Sequence, residues 1–451
     1  MDQAEALGQK EVSKLLWEFS LPAIIGMVVN ALYNVVDSIF VGNWVGDIAL
    51  TAVTIAFPIM IILMAIGMLI GIGASTLVSI RLGEQKHNEA EAILGNAFSL
   101  MVVAVISTTI VALIYLDQIL VLLGADAQVL PYAREFTRII VLGSIFMHIG
   151  FGLNNIIRAE GNPKIAMATM LIASLLNIIL NPLFILVFKL GIAGSALATV
   201  VAQAVAAGWV LRYLAGDQGV LKLRFANMRL DKSIIIDICK IGLSPFLMQI
   251  AASVVTILSN YSLLMYGGQV AVAAFGIINR VGMLILMPIF GISQGVQPIL
   301  GYNYGAKKYE RVTEVMKLGI YAATLVSVLG FAVVQLFPAQ IVRLFNDNPE
   351  LVALGASGLK ISLALLPIIG FQIIGASFFQ AAGKAGHAIF LSMSRQVIIL
   401  IPALIMLPRF WGLEGIWLAL PAADSISALL TGTYLWLELR RLSPKLLGNN
   451  T

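Results

Sequence analysis

Four polar residues share one helical face near the start of this sequence. Asn30, Tyr33, Asn34 and Asp37 stand at i, i+3, i+4 and i+7, the spacing that stacks side chains along one side of an α-helix. Residues 15–41 around them are otherwise largely apolar, and apart from Glu18 at the start Asp37 is the only acid there. Ser174, Asn177 and Asn181 make a second polar stripe, which Pro182 breaks. Proline at that point frees a backbone carbonyl that polar neighbours or water can satisfy. A carboxyl desolvated among amides and hydroxyls can exchange a proton as its surroundings open to one side or the other. The bland alternative is an interfacial acid that caps a helix or pairs with an arginine; three polar side chains on its own face favour ion exchange.

Other chemistry has little to work with. No Gly-rich loop ends in Lys-Ser or Lys-Thr, so an ATP-driven engine is not expected within the chain, and no His-Glu-x-x-His motif occurs. The single cysteine, Cys239, excludes a disulfide framework and a Cys-based metal site. No cofactor is expected and no enzyme activity, since a membrane-embedded enzyme would need a clustered acid/base or metal set. Any transport must draw on an ion gradient or on the gradient of the cargo itself. One charge moving through 100 mV gains about 2.3 kcal/mol.

The elements that position these residues are set by composition. The chain has 451 residues, of which 60% are apolar and only 11% charged, with a mean hydropathy of +0.96. Soluble domains carry about twice that charge, which excludes a cytosolic enzyme or a free nucleic-acid binder. A membrane β-barrel would read as short alternating segments. Long apolar runs predict an all-α polytopic membrane protein, with spans near 15–41, 51–73, 92–114, 134–157, 165–188 and 194–214, then 234–265, 270–297, 313–337, 351–379, 386–407 and 414–439. The N-terminus lacks the basic start and cleavage site of a signal peptide, so the first apolar run is read as a retained helix. Eighteen lysines and arginines fall at the termini and after even-numbered spans, against three to six in the opposite breaks. By the positive-inside rule, both termini are expected in the cytoplasm.

The two halves repeat. Gly73 through Arg81-Leu82-Gly83 aligns with Gly295 through Asn303-Tyr304-Gly305 at an offset of 222, and Arg158-Ala159-Glu160-Gly161 meets Gln380-Ala381-Ala382-Gly383 at the same offset. Gly191-Ile192-Ala193-Gly194 meets Gly412-Leu413-Glu414-Gly415 at 221, and Pro22 meets Pro245 at 223. Six spans per copy give both copies one orientation, hence two six-helix lobes related by a pseudo-two-fold axis along the membrane normal. The predicted division is 1–215, a cytoplasmic linker over 216–232, and 233–451. The second copy lacks the acid: Asn30, Tyr33 and Asp37 map to Ser253, Thr256 and Asn260, and Asn177 and Asn181 map to Val397 and Ile401. Ion coupling is therefore expected in the N-terminal lobe. Charges also fall inside later spans, at Arg280, Arg395 and Asp424, and an Arg–Asp pair within the C-terminal lobe is the expected use. His148 is read as a hydrogen-bonded packing residue. Most methionines are read as packing too, with some free to line an adaptable cavity.

At this point the chain resembles the multidrug and toxin extrusion (MATE) family, nearest its MepA-like bacterial branch. The likeness runs from about Lys14 to Arg440, on Ser20-Leu21-Pro22, Val36-Asp37-Ser38-Ile39-Phe40-Val41-Gly42, Arg81-Leu82-Gly83, Arg158-Ala159-Glu160-Gly161-Asn162-Pro163 and Asn177-Ile178-Ile179-Leu180-Asn181-Pro182. The second half adds Asn279-Arg280, Ser394-Arg395-Gln396 and Ala423-Asp424. The resemblance implies an antiporter in the bacterial plasma or inner membrane that exports bulky, often cationic organic compounds in exchange for protons or sodium. It carries the family's ion site onto Tyr33, Asp37, Asn177, Asn181 and Thr199. Many relatives have a second acid where Asn181 stands, and its absence leaves H⁺ or Na⁺ open, because Asn and Thr oxygens also ligate a hard cation. Acids that relatives use in the seventh and tenth spans find no match, with Ser253 and Gln372 in those neighbourhoods. Asn30, Asn34, Asn154, Gln249, Ser253, Asn260, Met283 and Met287 are candidates for contact with the cargo. The expected partners are small organic substrates and the bilayer, with no nucleic acid, and the expected working form is a monomer. A flippase or exporter of lipid-linked or anionic substrates is the alternative, kept open by Arg280 and Arg395.

Overall fold

A backbone inside lipid must satisfy its own polar groups, and these apolar runs do so as helices. The computed structural model describes residues 3–447, apart from the side chains of residues 34, 35, 38, 39 and 443–447, and among the described residues there is no strand. The first half holds six membrane-length helical stretches: Val12–Phe40, Asp47–Gly83, His87–Ile114, Leu130–Ala159, Pro163–Val187 and Gly191–Ala215. The second half opens with a continuous run of 74 residues, Lys232–Gly305, and closes with Ala385–Leu442, a run of 58. At 1.5 Å per residue the longer would reach about 110 Å, against about 40–45 Å for a whole bilayer. Each is therefore two spans. The breaks sit at Gly268 (φ +65°) and Gly412 (φ +55°), in the left-handed region that glycine enters without steric cost. Between them lie Tyr309–Leu336 and a pair, Pro349–Ser362 and Leu366–Ala381, bent by 48°. Counted this way there are twelve spans among the described residues, six in each half of the chain.

The repeat is written in the backbone. Left-handed residues recur at the offsets seen in the sequence: Gly46 with Gly268, Gln85 with Lys307, Gly161 with Gly383, and Gly191 with Gly412. Side chains differ at some of these sites, yet each keeps a positive φ.

The chain divides into two compact units, one of Met1–Gln9 with Ile25–Phe246, the other of Lys10–Ile24 with Leu247–Thr451. The division falls inside the first and seventh spans, so residues 216–232 belong to the first unit. The first unit's core joins Ala52, Ala56 and Leu63 of the second span to Phe136 and Val141 of the fourth and Ala196 of the sixth. Small residues on the second span let these helices close up. In the second unit, Ile278, Leu359, Leu404 and the fully buried Trp417 form the corresponding core. A short helix not expected from the sequence, Gln3–Gln9, buries Ala4 and Leu7. It seats on Gly161, where any Cβ would meet the Gln3 carbonyl.

Candidate functional site

Three helices of the first unit converge on Asp37. Near the end of the first span its Oδ1 accepts hydrogen bonds from the Asn181 amide and from Ser195 Oγ, the latter at 2.9 Å. Pro182 follows Asn181 and has no N–H, and the fifth span relaxes there into a π-helical turn over Leu183–Val187. Gly194 lets the sixth span approach that turn, since a Cβ at this position would press on the Phe184 backbone at 3.0 Å. That approach puts Ser195 against Asp37. One turn away, Asn177 Nδ2 donates to Thr199 Oγ1 at 3.0 Å. The fifth span thus supplies Asn177 and Asn181, the sixth supplies Ser195 and Thr199, both at i, i+4, and the pairs form two rungs of a ladder. Tyr33, one turn before Asp37 on the first span, is partly buried, as is Asp37.

Asn181, Ser195 and Ser174 are fully enclosed and Asn177 nearly so. Among the described residues, the carbonyl oxygens of Asn177 and Asn181 and the Ser174 hydroxyl have no hydrogen-bond partner. A buried oxygen without a partner is costly, and here three belong to the polar stripe that meets one carboxylate. Such a set can offer oxygen ligands to a small cation, or its amide and hydroxyl donors can hold the carboxylate while a proton comes and goes. No arginine or lysine is paired with Asp37 among the described residues, and no group of three or more His, Cys, Asp or Glu side chains suited to a metal occurs among them.

Of the residues singled out in the sequence, the structure joins Asp37 to Asn181 and Asn177 to Thr199. It adds Ser195, which sequence reasoning missed. The signal was there: Ser195 stands four residues before Thr199 as Asn177 stands four before Asn181. Asn34 lies outside the described side chains. Asn30 is partly buried. Asn154 is buried, and its amide ties the fourth span to the Ala166 carbonyl at 3.0 Å, an interhelical brace. In the second unit Gln249 and Ser253 are partly buried, Asn260 and Met283 are exposed, and Met287 is buried. His148 packs on Gly67 and shares a 2.8 Å hydrogen bond with the Ser144 carbonyl.

The buried charges need one correction. Arg395 and Asp424 do pair, Nε to Oδ1 at 2.6 Å, with the carboxylate only 3% exposed. Arg280, expected to be buried, is exposed: Ile277, Ile278 and Val281 take the packed side of its helix and leave Asn279 and Arg280 on the other. Gln372 donates to Ser427. At the positions matching Ser195 and Thr199 the second unit has Ile416 and Leu420, which with Ser259, Phe275 and Leu404 line a cavity of about 80 Å³. In the second unit the polar ladder is lost, with apolar Ile416 and Leu420 in its place.

Comparison with known proteins agrees with this architecture. The MatE family profile matches residues 22–183 and 245–405, one block in each half. The multidrug export protein MepA of Staphylococcus aureus (strain NCTC 8325 / PS 47) is 29% identical over 434 residues, covering 96% of this chain and 95% of the relative. A solved structure of the MATE multidrug transporter DinF-BH is 41% identical, with a TM-score of 0.90 over 97% of this chain and 98% of that one. An outward-facing MATE transporter of the MOP superfamily, at 24% identity, shares the fold with a TM-score of 0.91 over 97% and 98%.

Proposed function

The chain belongs to the MatE family, and from that premise we propose that it is a multidrug efflux transporter of the cell membrane, an antiporter that releases an organic cation outward as Asp37 takes up a proton or a sodium ion. One observation carries the reading. Asp37 is an acid held at membrane depth by the neutral donors Asn181 and Ser195, in a cluster with unpartnered buried oxygens. A structural acid would be neutralised by a fixed cation, as Asp424 is by Arg395. Asp37 has neutral donors in place of such a cation.

In the cycle we propose, ion arrival at Asp37 competes with the Asn181 and Ser195 donors for Oδ1 and loosens the tie between the first, fifth and sixth spans. That favours rearrangement of the first unit and outward release of cargo. Cargo entering from the cytoplasm or the inner leaflet then displaces the ion inward. Both termini lie in the cytoplasm in this reading, and one chain is the working unit. A proton needs only the carboxylate. Sodium would in addition use Asn177 and Asn181 Oδ1, so the two ions differ in which side chains they require.

The test is efflux of a cationic dye from proteoliposomes with pH and Na⁺ gradients imposed separately. Efflux driven by one gradient identifies the ion, and no efflux under either removes the antiporter reading. Cargo of the anionic, lipid-linked kind finds less support. Arg395 is already neutralised by Asp424, which leaves Arg280 as the exposed cation of the two. Competition between cationic dyes and lipid-linked anions for binding separates these cargoes.

A further inference from the structure

Residues 216–232 read in the sequence as a linker, but their backbone is fastened to the helices of the first unit at five points between 221 and 231. Leu221 N donates to the buried Glu160 carboxylate at 3.0 Å and Lys222 N to Glu91 at 3.3 Å. Asn96 Nδ2 reaches the Asn227 carbonyl at 3.4 Å, Ser99 Oγ the Met228 carbonyl at 2.7 Å, and Asp231 N donates to Asn96 Oδ1 at 2.7 Å. Gly95 admits this strap, because any Cβ there would collide with the Asn227 backbone. The anchor points set its depth. Gly95, Asn96 and Ser99 lie eight to twelve residues into the third span (His87–Ile114) and past its last acid, Glu91. At 1.5 Å per residue that is about 12–18 Å along the helix, alongside the start of its apolar part.

At that depth the strap turns outward a side chain with little protein to bury it. Phe225, in the short 3₁₀ turn Phe225–Met228, is 88% exposed, and Leu230 is 44% exposed. Around them stand Lys222, Arg224, Arg229 and Lys232. Lys222 is paired with Asp217 and Arg224 with Glu91. Arg229 and Lys232 pair with no acid among the described residues, and both are exposed. Asp231, the acid between them, turns Oδ1 onto the backbone N–H groups of Ser233 and Ile234 at the start of the seventh span. An apolar ring flanked by unneutralised cations, fixed at the level where a span enters hydrocarbon, matches an interfacial anchor.

We infer that the strap 222–232 is a lipid-binding element: Phe225 sits in the headgroup–acyl boundary, and Arg229 and Lys232 bind the phosphates of anionic phospholipids. This goes beyond transport, and uses the proposed orientation only to place the element in the cytoplasmic leaflet. A lipid-anchored strap would hold the start of the seventh span at a fixed depth.

The test uses the full chain with Cys239→Ser and Phe225→Cys, labelled with bimane and reconstituted in mixed vesicles of phosphatidylglycerol and phosphatidylcholine. Either lipid carries brominated acyl chains in turn. The side chain at 225 is almost wholly exposed, so the label should leave the fold intact. We expect strong quenching in both cases, and more by brominated phosphatidylglycerol at equal mole fraction. Each of Arg229→Gln and Lys232→Gln should weaken that preference, and the two together should bring quenching by the two lipids to equality. A probe that neither lipid quenches sits in water and overturns the proposal. So does equal quenching by both lipids, or a preference that survives the two substitutions together.

Discussion

A single carboxylate among neutral donors gives the clearest predictions at the scale of the residue. Asp37→Asn is isosteric and keeps a hydrogen-bonding side chain, but it cannot exchange an ion. Gradient-driven dye efflux should fall at least about tenfold, to the level of empty liposomes, while the yield of folded protein is unchanged. Efflux equal to the parent would mean that coupling lies elsewhere. Ser195→Ala removes one hydrogen bond to a charged group, worth about 1.5–3 kcal/mol. It should lower efflux about tenfold, with Ser195→Thr close to the parent; if alanine and threonine behave alike, the hydroxyl is not part of the site. The Arg395–Asp424 pair calls for a stability measurement instead. Arg395→Met strands a carboxylate that is 3% exposed, at a cost of roughly 3–5 kcal/mol. The melting temperature in detergent should drop, and the double substitution Arg395→Met with Asp424→Asn should recover most of the loss.

Among the elements, glycines mark where helices end and where they touch. Gly268 and Gly412 turn long helical runs back through the membrane in conformations that cost an L-residue about 1–3 kcal/mol. Nothing lies within 4 Å of a Cβ built on Gly268 or on Gly276, so space does not separate them and backbone conformation does. Gly268→Ala should lower the unfolding free energy by about 1–3 kcal/mol. Gly276→Ala, in the helical interior, should raise it by about 1 kcal/mol. Thermal unfolding of the two variants side by side reads the difference; equal shifts would deny the break at Gly268. Gly194 and Gly95 act by closeness instead, one placing Ser195 at Asp37 and the other seating the strap against the third span.

For the whole molecule, twelve spans place the polar breaks alternately on two faces. Under the proposed orientation, Asn346 in the break after the ninth span is outside and Asp217 in the strap is inside. With Cys239→Ser as background, a membrane-impermeant maleimide on intact cells should label Asn346→Cys at once and Asp217→Cys only after permeabilisation. The reverse pattern would invert the topology and move the strap to the other leaflet. The two compact units also reassign the chain. Because the division falls within the first and seventh spans, a cut in the strap, which is bonded to the first unit along its length, separates less than its place between the repeats suggests.

The sequence by itself determined that this is an all-helical membrane protein, how many times it crosses, and that its halves repeat. Those follow from apolar run length, scarcity of charge and local spacing, which act along the chain. It also picked out Asp37, because an acid at membrane depth is rare enough to be informative alone. The partners of that acid were legible only in part. Asn181 stood on a polar stripe, but Ser195 is one serine among many until Gly194 lets two helices close on the Pro182 turn. Arg280 and Arg395 look alike in sequence, and tertiary packing alone decides that one meets a carboxylate and the other faces outward. Nor could spacing tell a linker from a strap, because the bonds that fasten it between 221 and 231 run to Glu91, Asn96, Ser99 and Glu160, side chains 61 to 135 residues distant. Contacts between residues far apart in the chain depend on how helices pack, and packing has no local signature.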